Sequence, residues 1–189
     1  MGPVAVKKLT YQDYLKIPED NLRHEIIDGE HFVTPSPMTN HQDVSAQLFF
    51  IIFQWIKKHN PGKLLAAPFD VILSRNNIVV TDIIYISKAH LSVVTEKNIQ
   101  GAPDFIIEIL SPSTSKRDLG IKKNIYETSG VEHYWIVDPD QKTIQTFHLE
   151  NSRYVLLSAF NLREPLTSSL FPRLSISMTF LVEYQPSTT

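Results

Sequence analysis

The stretch Pro103-Asp104-Phe105-Ile106-Ile107-Glu108-Ile109-Leu110 constrains this chain more than any other. It is apolar at nearly every position instead of every second one. A strand of that kind is buried on both faces and lies in the interior of a sheet. Helices must then cover it. The strongest helical pattern runs from about Asn40 to His59, where Val44, Leu48, Ile51, Ile52 and Trp55 recur at helical spacing. Phe49, Phe50 and Phe53 widen that apolar face, and Asn60-Pro61-Gly62 ends it.

The remaining elements follow from turn and cap chemistry. Thr10 to Ile17 reads as a short helix capped by Thr10 with Asp13 at its third position, and Pro18 lies beyond it. Glu25 to Val33 reads as a hairpin turning at Asp28-Gly29. Phe69 to Leu73 and Ile78 to Ile86 form a second hairpin around Ser74-Arg75-Asn76-Asn77. Residues 87–100 read as a short helix or loop. After Ser111-Pro112-Ser113-Thr114 a helix is expected from about Lys116 to Ser129, stopped by Gly130, and a fourth strand over His133 to Val137. Shorter strands follow at Thr143 to Leu149, Tyr154 to Leu157 and near Leu174. The order helix, three strands, helix, strand predicts an α/β (α+β) fold with a central mixed sheet between helices. No linker divides it, so one domain over residues 1–189 is expected.

Composition removes several function classes. The chain of 189 residues is 42% hydrophobic and 20% charged, as in ordinary globular proteins. Lys and Arg total 18 against 20 Asp and Glu, a net charge of −2, so no global basic field draws it to nucleic acid. With no cysteine there is no disulfide framework, thiolate zinc site or cysteine nucleophile, which fits a reducing cytoplasm. The longest apolar run, Leu48 to Phe53, is far short of the ~20 residues that span a bilayer. The N-terminus from Met1 to Lys8 shows no apolar leader, and Val6 stands where a myristoylation signal needs Ser or Thr. His24, His31, His59, His90, His133 and His148 form no metal-ligand spacing such as H-x-x-x-H, which speaks against zinc hydrolase chemistry, and P-loop, Rossmann and nucleophile-elbow motifs are missing.

Two acids stand out because a buried, unpaired carboxylate costs several kcal/mol. Asp82 interrupts the run from Ile78 to Ile86, and Glu108 interrupts the run from Phe105 to Leu110. If their strands are neighbours, both converge on one point, where a hard divalent cation would offset the desolvation. Hydrogen bonds from Ser, Tyr or backbone groups, or a lysine, would serve the same end. Asp104 is a poor partner for Glu108, since four residues along a strand separate them by roughly 13 Å; it is expected to end the strand or cap the preceding turn. On the following helix Asp118, Lys122 and Tyr126 share a stripe at i, i+4, i+8. Lys122 either pairs with Asp118 on the surface or points back at the carboxylates, where its charge would steady a developing oxyanion. Glu25 and His41 are further candidates for the same site. Repulsion between Asp82 and Glu108 leads to the expectation that Asp82→Asn relieves strain in the metal-free protein.

These stretches resemble the bacterial Uma-type family of restriction-endonuclease-like proteins, members of the PD-(D/E)XK nuclease superfamily. The matching residues are Arg23 to Glu30, Ser36 to His41, Val80-Thr81-Asp82, Pro103 to Thr114, and Asp118 through Pro139, so the likeness spans residues 23–139. The resemblance implies a core of helix, three strands, helix and strand. It makes Asp82 the first acid and Glu108 the second. Thr81 replaces the motif's proline, Leu110 replaces its lysine, and Lys122 on the next helix takes the lysine's place. Glu25 becomes an accessory acid. The implied function is a Mg²⁺- or Mn²⁺-dependent DNA endonuclease in which Asp82, Glu108 and the Ile109 carbonyl hold the metal and Lys122 assists catalysis. Lys116, Arg117, Lys122 and Lys123 would meet the DNA backbone. The apolar strands after Thr143 and the symmetry of duplex cleavage suggest a homodimer. Two rivals remain: a catalytically silent module that binds nucleic acid or protein, and a metal phosphohydrolase acting on small phosphate esters.

Overall fold

The computed structural model describes residues 7–181. The segment from Met1 to Val6, read above for leader and lipidation signals, lies outside them.

A six-stranded sheet forms the middle of the molecule. Its order is β11-β10-β9-β8-β6-β3, with β3 Gly62–Ala66, β6 Ile83–Ser87, β8 Phe105–Ile109, β9 His133–Asp138, β10 Thr143–Glu150 and β11 Arg153–Phe160. Only β8 and β9 run parallel; the other pairs are antiparallel, so the sheet is mixed. The all-apolar strand read from sequence is β8, and it lies inside the sheet between β6 and β9.

One face is covered by α2 (Thr39–His59), whose Val44, Leu48, Ile52 and Ile56 pack with Phe105, Ile107, Trp135 and Val137. Phe171, Ile176 and Met178 of the C-terminal segment complete that core. On the opposite face lie the helix after β8 and a five-stranded sheet of order β2-β1-β5-β4-β7. Its strands are β1 Arg23–Ile27, β2 Glu30–Thr34, β4 Asp70–Ser74, β5 Asn77–Val80 and β7 Ile99–Gln100. The β1–β2 turn needs left-handed backbone at both central residues, Asp28 (φ 49°) and Gly29 (φ 79°), which is why Asp-Gly stands there. A two-stranded pair, β12 Leu166–Thr167 with β13 Ser175–Ile176, supplies the strand expected near Leu174.

Four sequence expectations are corrected. Ile78 to Ile86 is not one strand: the chain bends at Asp82, so β5 belongs to the five-stranded sheet and β6 to the six-stranded one. The hairpin partner of β5, β4, therefore lies outside the sheet that carries Glu108. The third strand of the core is β3, which has no β-branched residue to betray it. The first helix, α1, covers only Tyr11–Tyr14, although its capping box from Thr10 and Asp13 forms as expected. The helix after β8 is also broken. It runs as α3 Ser115–Arg117, a π-helical turn Asp118–Lys122, and α4 Lys123–Ser129 ending at Gly130 in left-handed conformation.

Candidate active site

The bend between β5 and β6 places Asp82 at the junction of the two sheets. In the β6–β8 ladder Ile83 pairs with Ile107, so Asp82 arrives beside Glu108. Asp82 is tightly held. Its Oδ2 accepts the Ile109 N–H at 2.8 Å and lies 3.2 Å from His41 Nε2, while Oδ1 is 3.5 Å from the Arg23 guanidinium. Burial pushes the Asp82 carboxyl up, but His41 and the Ile109 N–H outweigh it, and the net shift is downward. These contacts favour the ionised form of Asp82, which argues against the expectation that Asp82→Asn relieves strain.

The strain falls on Glu108. It is 3% exposed, and burial raises its carboxyl well above the ordinary range, against the opposing pull of Lys122 and with Asp118, Asp82 and Glu25 adding to the rise. Glu108 Oε1 receives the Tyr126 hydroxyl and lies 2.6 Å from Lys122 Nζ. Lys122 Nζ is also 3.1 Å from Glu25 Oε1 and 3.6 Å from Asp118 Oδ1. Burial would lower the Lys122 pKa, yet Glu108, Glu25 and Asp118 hold it well above the usual lysine value. Lys122 is thus the ammonium hub of a buried acidic cluster, and the surface pairing with Asp118 does not occur.

The π turn explains how one lysine reaches so many acids. A wider turn carries an extra residue and is concentrated at functional sites. Here Asp118, Lys122 and Tyr126 all turn inward at 0–3% exposure, while the intervening Leu119 and Ile121 are forced outward to 49% and 37%. Glu25 comes from the five-stranded sheet, where its Oε1 also accepts the Val80 N–H at 3.0 Å.

A cavity of about 250 Å³ opens over these groups, lined by Arg23, Glu25, His41, Asp82, Glu108 and Lys122 among others. The side chains are rich in carboxylate oxygens, although Lys122 stands between three of them. Glu25, Asp82, Glu108 and Asp118 face one lysine, with Arg23 and Arg117 only at 3.5 and 3.8 Å from the nearest carboxylates. The buried side-chain atoms without a hydrogen-bond partner among the described residues are His41 Nδ1 and Thr81 Oγ1, on residues that adjoin Asp82. Carboxylate oxygens are the ligands that hard dications take.

The structure divides the expected basic cluster. Lys116 is exposed. Arg117 is largely buried, 3.8 Å from Glu25, donating to Thr34 Oγ1 and stacked over Phe32. Lys123 faces away, with Nζ 3.7 Å from the Phe147 ring centroid. Asp104 caps as expected, accepting the Ser87 N–H at 2.7 Å and approaching His90 Nδ1 at 2.6 Å. Sequence reading missed Arg23 and Tyr126 as site residues. Arg23 was findable, since it shares the Glu25 face of β1 at i, i+2.

A family model described as "Putative restriction endonuclease", Uma2, matches residues 11–179. The chain belongs to the Uma2 family. Its fold is similar to that of a solved structure from Anabaena variabilis ATCC 29413, titled a "putative nuclease belonging to DUF820". The TM-score is 0.75 at 21% identity, over 92% of this chain and 97% of that one. No curated protein matches this chain. The α+β, restriction-endonuclease-like architecture expected from the sequence is therefore that of this Uma2 member, and no helix among its described residues is long and apolar enough to cross a membrane.

Proposed function

We propose that this Uma2 protein is a Mg²⁺- or Mn²⁺-dependent endonuclease that hydrolyses DNA phosphodiester bonds. The observation that carries the reading is the buried Glu108–Lys122–Glu25 array beside Asp82, lining one cavity. Asp82, Glu108 and the Ile109 carbonyl would hold the ion. When bound, a divalent ion supplies Lewis-acid polarisation of a phosphoryl oxygen and neutralises the carboxylates. The chain's own groups do the rest. Lys122 presents a fixed positive charge where negative charge builds up on the phosphate, and it does so in a site already desolvated, so little reorganisation is needed. Tyr126 and Glu25 hold that ammonium and its partner carboxylate in place. His41 fixes the orientation of Asp82. Lys116, exposed just before the π turn, and Arg117 would meet the DNA backbone, a contact that positions without reading sequence.

A homodimer is part of the proposal. Strand β11 is an edge of the six-stranded sheet, and Val155, Leu156 and Leu157 on it are 42–50% exposed. Such an edge favours pairing with a second copy. A cytoplasmic location fits the absence of cysteine.

The deciding experiment is nicking of supercoiled plasmid with Mg²⁺, Mn²⁺ or EDTA, alongside a chromogenic phosphodiester. Metal-dependent nicking lost in Asp82→Asn supports the endonuclease. Turnover of the small ester alone points to a phosphohydrolase. DNA binding with no turnover of either points to a silent binding module.

A further inference from the structure

A second cation site lies away from the carboxylate centre. Strands β9 and β10 pair so that His133 stands directly opposite His148. Residues opposed across antiparallel strands share a face, with Cβ atoms about 4.5–5.5 Å apart. The two imidazole centroids are 4.7 Å apart. Both Nε2 atoms converge on one oxygen, Glu132 Oε1, at 3.7 Å from His133 and 3.4 Å from His148. The ligand atoms of all three residues lie within 4.8 Å of one another.

These separations are long for charge-assisted hydrogen bonds, which run ~2.7–2.9 Å. They are close to the edge of a tetrahedron, which is about 3.3 Å when metal–ligand bonds are ~2.0–2.1 Å. A fourth residue behaves as an outer partner. Glu150 Oε1 is 3.6 Å from His148 Nδ1, so a carboxylate stands behind the ring whose Nε2 faces inward. This carboxylate–histidine order is the one that orients metal-ligating imidazoles. The backbone is fixed on both sides: the Leu149 N–H donates to the Glu132 carbonyl at 2.8 Å, and the His133 N–H donates to the Asp104 carbonyl at 3.0 Å. Exposure is graded, with side chains at 10% for His133, 29% for His148 and 57% for Glu132, which leaves an entry path from solvent.

We propose that Glu132, His133 and His148 form a binding site for a transition-metal dication of the zinc type, oriented by Glu150 and independent of the carboxylate centre. Two imidazole nitrogens and one carboxylate oxygen suit Zn²⁺, and they disfavour Mg²⁺, which prefers oxygen ligands and water. The site is separate in space. In the β8–β9 ladder His133 pairs with Phe105, and Glu108 pairs with Ile136 three residues further on. Three residues also reverse the side-chain face, so the histidines and Glu108 lie on opposite faces, about 10 Å apart along the strands. A bound ion would tie the turn after α4 to the β9–β10 hairpin.

Calorimetric titration of the full chain with ZnCl₂ tests this, comparing wild type with His148→Asn, Glu132→Gln, Glu150→Gln and Asp82→Asn. Wild type binds one zinc equivalent in the micromolar range or tighter that His148→Asn and Glu132→Gln both lack. Glu150→Gln weakens that equivalent by about tenfold or more. Asp82→Asn retains it, which separates this site from the proposed nuclease centre. Circular dichroism checks that the exposed-site variants fold. The same zinc stoichiometry and affinity in His148→Asn as in wild type, loss of the equivalent in Asp82→Asn, or no micromolar binding to wild type would each overturn the proposal.

Discussion

Replacing Lys122 with Met removes the ammonium that, among the described residues, lies within 4 Å of Glu108, Glu25 and Asp118, at 2.6, 3.1 and 3.6 Å. With an effective dielectric near 20, each contact is worth about 5–6 kcal/mol of Coulomb attraction. Desolvating the ammonium costs several kcal/mol in return, and the acids can escape part of the loss by protonation. Removing one partner of a buried ion pair typically costs about 3–5 kcal/mol, and that is the loss expected at about pH 8. A chain of this length loses roughly 2–4 °C per kcal/mol, so the melting temperature should fall by about 6–20 °C. The sign with pH follows from Glu108 and Asp118, whose carboxyls burial already raises. A group with a raised folded pKa contributes stability that is present at low pH and lost as pH rises through that value. Without Lys122 both rise further, so the deficit should be smaller at about pH 5.5 than at about pH 8. Urea denaturation at both pH values provides the measurement. A deficit under about 1 kcal/mol, or one equal at both pH values, would refute the idea that Lys122 neutralises a buried acidic cluster.

Metal-free wild type should lose stability as pH rises above the ordinary carboxylate range and Glu108 ionises, since Asp82, with its pKa lowered, is already charged there. Millimolar Mg²⁺ should reverse that slope and release protons on binding, seen in calorimetry as an enthalpy that depends on the buffer. Glu108→Gln should leave metal-free stability within about 1 kcal/mol, because Lys122 keeps Glu25 and Asp118, yet lower plasmid nicking by about 10²-fold or more and abolish the thermal response to Mg²⁺. Asp82→Asn should lower metal-free stability by about 1–3 kcal/mol, since a charge held by His41 and the Ile109 N–H is lost; an unchanged melting temperature would contradict that. Light scattering at micromolar concentration should give twice 21.6 kDa, and Leu156→Lys on the β11 edge should return the monomer.

The layers of the fold were legible because burial leaves a pattern. The nearly continuous apolar run of β8 announced an interior strand, and the stripe of Val44, Leu48 and Ile52 on α2 announced its cover, although Phe50 and Phe53, expected to widen that face, are exposed. The two acids were legible because they break such patterns. The split between β5 and β6 was hidden: Val80-Thr81-Asp82-Ile83 is β-prone throughout, and only tertiary hydrogen bonds, from Ile109 to Asp82 and from Val80 to Glu25, show why the chain turns there. The π turn left no compositional trace, because Leu119 and Ile121 look like core residues and are exposed. His133 and His148 escaped a search at helical spacing since their proximity comes from a hairpin register. The expected strands His133 to Val137 and Thr143 to Leu149 carried enough information to oppose them, once turned about the intervening residues.

The bend at Asp82 also sets the conditions under which the site can exist at all. Glu25 and Arg23 belong to one sheet, Asp82 stands at the joint, and Glu108 belongs to the other sheet. Neither sheet carries a usable half-site, so the pocket forms only after the two have docked through Ile27, Val79, Ile84 and Ile106. Integrity of the cluster is then a gauge of assembly. Shaving a methyl group from that seam, well away from any carboxylate, would alter the spacing of Glu25 to Glu108 while leaving the secondary structure in place. A partly folded chain with intact strands would lack the cluster altogether.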